Sequence, residues 1–302
     1  MRVKIGPMEL KNPVMTASGT FGYGEEFSEF FDLARLGAVV MKGISVNPRE
    51  GNPPPRLYET PCGMLNSIGL QNVGLKRFLK EKLPFIRQFD TKAIANILGG
   101  TPAEFVRLAR ALDDAGLDGI ELNVSCTNVK AGGQVFCSDL RMLARLISKV
   151  RAEVRHAALI VKLSPTVGDI RPGARVAEEE GADAISLINT LPGLAVDLDT
   201  RRPVLANVVG GLSGPAIRPV ALRMVWEAAS TVKIPIIGMG GITDGREALE
   251  FMLCGATAVA VGTANFIEPM SAVRVVEEME GYLQAKGITD VRELIGALEV
   301  TG

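Results

Sequence analysis

Nearly unbroken apolar runs of four to six residues recur along the chain, at 13–17, 38–41, 93–98, 119–124, 159–163, 184–188, 235–239 and 256–261. Runs of that length without polar alternation mark parallel strands buried on both faces. Helical periodicity fills the intervals, most plainly at 102–115, 139–154, 172–180 and 215–230. Pro102, Pro172 and Pro215 stand near helix starts, where a missing N–H costs little because that donor lacks an intrahelical partner anyway. Gly37, Gly116, Gly181 and Gly255 each separate a helical stretch from a strand, and glycine just past a helix takes the left-handed conformation at low steric cost. Strand and helix alternate without a linker, so the pattern predicts an α/β fold: one closed (β/α)8 TIM barrel over 1–302, in preference to two domains or an open doubly wound sheet. The first ten residues alternate polar and apolar positions and predict a short β-hairpin ahead of the barrel.

Three connections, 43–72, 125–138 and 189–213, exceed the usual length of about 2–6 residues for such joints. All three follow strand C-termini, so they gather on the face where barrel active sites lie.

Composition narrows the chemistry. Of 302 residues 47% are hydrophobic and 22% charged, with 33 Gly and 17 Pro, which describes a packed globule with many turns and excludes disorder and collagen-like repeats. Lys and Arg number 33 against 34 Asp and Glu, leaving no cationic excess for nucleic acid. No apolar run reaches the roughly 18 residues of a membrane span, and the N-terminus lacks the apolar core of a signal peptide. The cysteines, Cys62, Cys126, Cys137 and Cys254, form no C-x-x-C pair, which suits the cytoplasm and disfavours disulfides or an iron–sulfur cluster in this chain. His156 is the single histidine, between a helix and a strand on the face opposite the long loops. No metal site is expected, and proton chemistry has to come from another group.

The strand ends offer Ser18, Lys42 with Gly43, Asn96, Asn123 with Cys126, Lys162, Asn189 with Thr190, Gly240 with Gly241, and Gly262 with Thr263. A lone Ser or Asn there is as readily a turn former as a ligand. The lysines differ, because Lys42 and Lys162 close apolar strands and point near the barrel axis, where an unpaired ammonium is costly. An anionic ligand or cofactor explains them better than a structural ion pair. Gly240, Gly241 and Gly262 follow the last two strands, where backbone N–H groups can cradle a phosphate, whether of a sugar or a flavin. An aldolase or isomerase with Lys162 as Schiff-base nucleophile is open on these residues alone.

Buried cysteines are ordinarily inert, and Cys254, Cys137 and Cys62 are read as structural. Cys126 differs: it lies just past a strand end in a long polar loop beside Ser125 and Asn128. A free thiol has a pKa of about 8.5, so a modest shift makes Cys126 a usable base near neutral pH.

Nine strings in order carry a family resemblance: ASGTFGYG at 17–24, MKGIS at 41–45, NSIGLQN at 66–72, ELNVSCTNVK at 121–130, VKLSP at 161–165, LINT at 187–190, GGLSGPAIRPVAL at 210–222, IPIIGMGG at 234–241 and AVAVGTANF at 258–266. With them the chain resembles the catalytic subunit of class 1 dihydroorotate dehydrogenase, and most closely class 1B, where NVKAGG follows the cysteine. One departure is Thr127, which stands where the family usually has proline, so a fixed φ is lost beside Cys126.

The resemblance implies oxidation of (S)-dihydroorotate to orotate in pyrimidine biosynthesis, with one FMN in the chain. Lys42, Asn66, Asn123, Asn128, Asn189 and Thr190 would bind the substrate, with the backbone of Ser67, Ile68, Gly69 and Leu70 closing over it. Amides suit a ring that offers both donors and acceptors. Cys126 as thiolate would take the C5 proton while hydride leaves C6 for the flavin. Ser18, Lys42, Gly43, Asn96, Asn123, Lys162, Ile188, Gly214, Gly240, Gly241, Gly262 and Thr263 would hold FMN. It further implies a homodimer, extended to a heterotetramer by two electron-transfer subunits bearing FAD and a [2Fe-2S] cluster that pass electrons to NAD. A fumarate-dependent class 1A enzyme or another dihydropyrimidine flavoenzyme is the alternative within flavin barrels.

Overall fold

A computed structural model describes residues 1–124 and 139–300. The alternating N-terminus forms a hairpin of β1 (Val3–Ile5) and β2 (Met8–Leu10), with Val3, Ile5, Met8 and Leu10 buried and the residues between them in solvent. Gly6 turns the hairpin at φ +53°, so near Asp183 that a Cβ there would stand 2.6 Å from the Asp183 Cβ. The hairpin is thereby seated on the N-terminal end of the barrel.

Eight parallel strands close the barrel: β3 (Val14–Thr16), β4 (Ala38–Ile44), β7 (Lys92–Ile97), β8 (Gly119–Asn123), β9 (Ala158–Lys162), β10 (Ala184–Leu187), β15 (Ile236–Met239) and β16 (Ala258–Val261). Each pairs with the one before it in this series, and β16 returns to β3, so the predicted TIM barrel is the fold, entered from an N-terminal hairpin. The apolar runs fill the wall because both faces of each strand are covered, by helices outside and by facing strands inside. The helices Pro102–Asp114, Leu140–Arg151 and Gly245–Leu253 begin where Thr101, Asp139 and Asp244 accept hydrogen bonds from the first free backbone N–H groups.

Two local readings differ. Gly116, Gly181 and Gly255 have positive φ as expected of a helix cap, but Gly37 does not and follows only a 3-10 turn, Leu33–Arg35. What requires glycine at 37 is space, since a Cβ would come within 2.0 Å of the Asn12 carbonyl oxygen. The helix expected from 215 begins as a 3-10 turn, Pro215–Ile217, and becomes α-helical over Arg218–Ala229, with Pro219 in its first turn.

The connections 43–72 and 189–213 hold strands of their own. β5 (Leu57–Thr60), β6 (Gly63–Asn66), β11 (Leu191–Leu194) and β14 (Val209–Ser213) form an antiparallel sheet in the order β11-β14-β6-β5, while β12 (Val196–Asp197) pairs with β13 (Arg202–Pro203). This arm stands over the C-terminal face of the barrel. The third long connection, 125–138, lies outside the described residues. Among the described residues, no helix is long and apolar enough to cross a membrane.

Candidate active site

A cavity of 610 Å³ opens between the C-terminal ends of the barrel strands and the arm. All eight barrel strands contribute at or just past their ends: Ser18 after β3, Lys42 and Gly43 in β4, Asn96 in β7, Asn123 in β8 and Lys162 in β9. Ile188, Asn189 and Thr190 follow β10, Gly240 and Gly241 follow β15, and Gly262 and Thr263 follow β16. The arm adds Asn66, Ile68, Gly69, Leu70 and Gly214. The sequence candidates among the described residues, Ser67 excepted, are spread over 246 positions from Ser18 to Thr263 and meet around one space.

Lys42 reaches the cavity through a break in its strand. The register of β4 against β7 shifts between Met41 and Ile44, and the Lys42 N–H donates to the Gly22 carbonyl at 2.8 Å. Such irregularities re-aim side chains beside active sites. Burial pushes the Lys42 ammonium below the ordinary lysine value, the Arg56 charge pushes it further, and Glu26 opposes both. Two cations facing one cavity make that end a receptor for an anion.

Sequence reading missed Arg56, Gln71 and Glu26, all of which line the cavity. Arg56 follows three prolines in a stretch without periodicity, and nothing local separates it from a surface arginine. It is held inward by donating to Gln71 Oε1 at 2.8 Å and to the Asn52 carbonyl at 3.3 Å.

Lys162 is 4% exposed and donates to Ser18 Oγ at 3.1 Å, with Glu121 Oε2 at 3.9 Å. It therefore sits on the cavity floor as a buried cation with both a hydroxyl and a carboxylate beside it.

The 66–72 loop is shaped by Asn72, 6% exposed, whose side chain donates to Ser45 Oγ and the Leu70 carbonyl and accepts from the Ser45 and Gly74 N–H groups. That clamp holds Leu70 at φ +63°, a conformation uncommon for leucine that turns residues 68–70 over the cavity. Ser67 does not line the cavity: its N–H donates to the Arg56 carbonyl at 2.8 Å and its side chain is fully buried. Asn66 donates to the Gly211 carbonyl at 3.3 Å, joining β6 to β14. Thr190 lies against Gly211 so closely that a Cβ at 211 would be 2.2 Å from its Oγ1.

At the far end, Gly240 and Gly241 have φ of +130° and +80°, and Gly214 has +95°. A Cβ at Gly241 would stand 2.8 Å from the Gly214 carbonyl oxygen, and one at Gly214 would stand 2.8 Å from the Gly63 Cα. Backbone lies against backbone here, beside the hydroxyl pair of Thr263 donating to Ser213 at 2.8 Å.

The remaining candidates, Cys126 and Asn128, lie outside the described residues. His156 is exposed on the opposite face, its N–H donating to Asp113 at 2.9 Å. Burial pushes the Cys254 thiol up, in keeping with an inert residue.

The family model described as dihydroorotate dehydrogenase matches residues 1–283. A protein of Thermoanaerobacter pseudethanolicus named dihydroorotate dehydrogenase B (NAD(+)), catalytic subunit, is 55% identical over 300 residues, 99% of each chain. Proteins of the same name from Trichlorobacter lovleyi and Geobacter sulfurreducens are 57% and 56% identical, each match covering 99% of this chain and 98% of the relative.

Proposed function

This chain belongs to the dihydroorotate dehydrogenase family, on its class 1B branch, and from that premise we propose that it is the catalytic subunit that oxidises (S)-dihydroorotate to orotate, acting as a single FMN-binding domain in the cytoplasm. The observation that carries this reading is the convergence, in one cavity, of a paired-cation end, a ring of amides and a glycine-walled end. Gly214, Gly240, Gly241 and Gly262 provide the test of fit for FMN: all four line one end of the cavity, so that a phosphate tail meets backbone there without intervening side chains.

In this reading Ser18, Gly43, Asn96, Asn123, Lys162 and Ile188 hold the ring system, and Gly214, Gly240, Gly241, Gly262 and Thr263 hold the phosphate end. FMN, when bound, supplies a two-electron acceptor for the hydride that leaves C6. Lys42, with Arg56 behind it, binds the substrate carboxylate. Asn66, Asn123, Asn128, Asn189 and Thr190 pair with the ring amides and carbonyls, and residues 68–70 exclude water from above. Cys126 removes the proton at C5, next to a carbonyl, and Lys162 opposes the negative charge that develops on the cofactor side. Proton to Cys126 and hydride from C6 together account for the two hydrogens lost.

Electrons then leave through a partner. We infer a homodimer bound to two electron-transfer subunits carrying FAD and a [2Fe-2S] cluster, with NAD as final acceptor. Apolar side chains left in solvent on the arm support a protein partner, with Leu198 86% and Val196 63% exposed. Pull-down of the native chain followed by cofactor and turnover analysis tests this. Dihydroorotate turnover with NAD that requires the co-purified subunit is expected; fast turnover with fumarate by the chain alone overturns the NAD assignment.

Since Lys42 is pushed below the ordinary lysine value of 10.5, raising the pH neutralises it earlier than a free lysine. The value of kcat/KM should therefore fall on the alkaline side below that point, and Lys42→Arg, which stays charged, should lose this limb. Gly211→Ala should displace Thr190 and raise KM for dihydroorotate about tenfold, a loss of about 1.4 kcal/mol of binding, while flavin content stays at the wild-type level. An unchanged KM removes Thr190 from the substrate end.

A further inference from the structure

One buried carboxylate inside the barrel has no part in the roles above. Glu121, 2% exposed in the middle of β8, accepts from Asn96 Nδ2 at 2.6 Å on one oxygen and from Ser186 Oγ at 2.8 Å on the other. The oxygen facing Asn96 also lies 3.9 Å from Lys162 Nζ. Strand register explains the cluster: Asn96 is opposite Glu121 across β7 and β8, and Lys162 is opposite Ser186 across β9 and β10. Four neighbouring strands therefore aim these side chains into one layer under the cavity floor.

A carboxylate so deep is costly unless paired and hydrogen-bonded, and an apolar residue of similar size would often be at least as stabilising. The hydrogen bonds also have a direction. With its Nδ2 committed to Glu121, Asn96 presents Oδ1 on the other side, where a Cβ on Gly43 would meet it at 2.9 Å. Asn96 is thus fixed as an acceptor toward the cavity, suited to an N–H of a ring bound there.

We propose that Glu121 is a positioning residue that fixes Asn96 and Lys162 on the cavity floor and, as counter-charge to Lys162, lowers the midpoint potential of the flavin held above them. This rests on the flavin reading of the cavity. An ammonium near the ring favours the reduced, anionic flavin, and a carboxylate behind it offsets part of that field. Such an offset keeps the reduced flavin a better electron donor to whatever follows. Removing the negative charge takes away a field that opposes the anion.

Glu121→Gln isolates the charge. Glutamine has the same shape, its oxygen can accept from Asn96, and its Nε2 can donate to Ser186 Oγ, which accepts as well as donates. The FMN-loaded full-length variant should bind reduced FMN relative to oxidised FMN at least about tenfold better than wild type does, a rise of about 30 mV in a two-electron couple. An equal or lower potential in the loaded variant overturns the proposal, since a merely structural role leaves the potential unmoved. A second measurement needs no variant. Among the described residues Glu121 is the only buried glutamate, so infrared spectra of the native protein labelled with 13C-glutamate report its ionisation. At neutral pH only labelled carboxylate bands are expected, and a labelled carboxylic-acid band overturns the counter-charge. A wild-type chain that takes no FMN defeats the flavin reading itself, and is separable from a loaded chain whose potential ignores Glu121.

Discussion

Cys126→Ala is expected to bind FMN and dihydroorotate yet reduce the flavin about 10²–10⁴-fold more slowly under anaerobic conditions, the usual cost of deleting a positioned general base. The expectation rests on what the rest of the cavity offers. Among the described lining residues the titratable groups are Glu26, Lys42, Arg56 and Lys162. Three of these are cations suited to holding negative charge, and Lys162 already donates to Ser18 beside a carboxylate. Glu26 stands on the side of Lys42 and Arg56, whose charges hold an anion rather than a C–H bond. The base proposed above is therefore Cys126, which comes from the sequence and the family resemblance and lies outside the described residues. Near-normal flavin reduction in stopped-flow traces of Cys126→Ala would remove Cys126 from this role.

Lys162→Met has the second large effect, because it removes a cation from the floor and strands a buried carboxylate. Glu121 keeps its bonds to Asn96 and Ser186 but loses its only ionic neighbour within 4 Å among the described residues. Breaking a buried pair from one side costs about 3–5 kcal/mol when the remaining charge has no other partner; two retained hydrogen bonds place this case at the low end, about 3 kcal/mol. Lys162→Met should therefore melt several degrees lower, bind FMN at least about tenfold more weakly, and reduce what it binds slowly. Equilibrium dialysis with FMN and thermal unfolding check both parts. Wild-type occupancy together with a wild-type reduction rate would place Lys162 away from the reacting end.

The barrel is readable in the sequence because its strands are buried on both faces, and runs such as Val39-Val40-Met41 have no competing interpretation as surface. The same reasoning locates Lys42 and Lys162, since a lysine ending such a run stands out against its neighbours. The arm does not announce itself: β14 is Val-Gly-Gly-Leu-Ser, whose glycines are there for close contacts with Thr190 and Asn66 and break any alternation. Arg56 and Gln71 are recruited by a long-range loop contact that no local pattern records. Glu121 lies inside a string that resembles the family, but its meaning depends on Asn96, Ser186 and Lys162 from three other strands. Gly37 shows a right residue expected for the wrong reason, since crowding by Asn12 and not a left-handed turn demands it.

The cavity is proposed to hold FMN and to use it to oxidise dihydroorotate. The most direct measurement is anaerobic titration of the FMN-loaded chain with (S)-dihydroorotate, following the visible flavin band and the orotate formed. The band is expected to bleach in step with one orotate released per flavin, without any other electron acceptor. A flavin-loaded chain whose spectrum is untouched by dihydroorotate would contradict it.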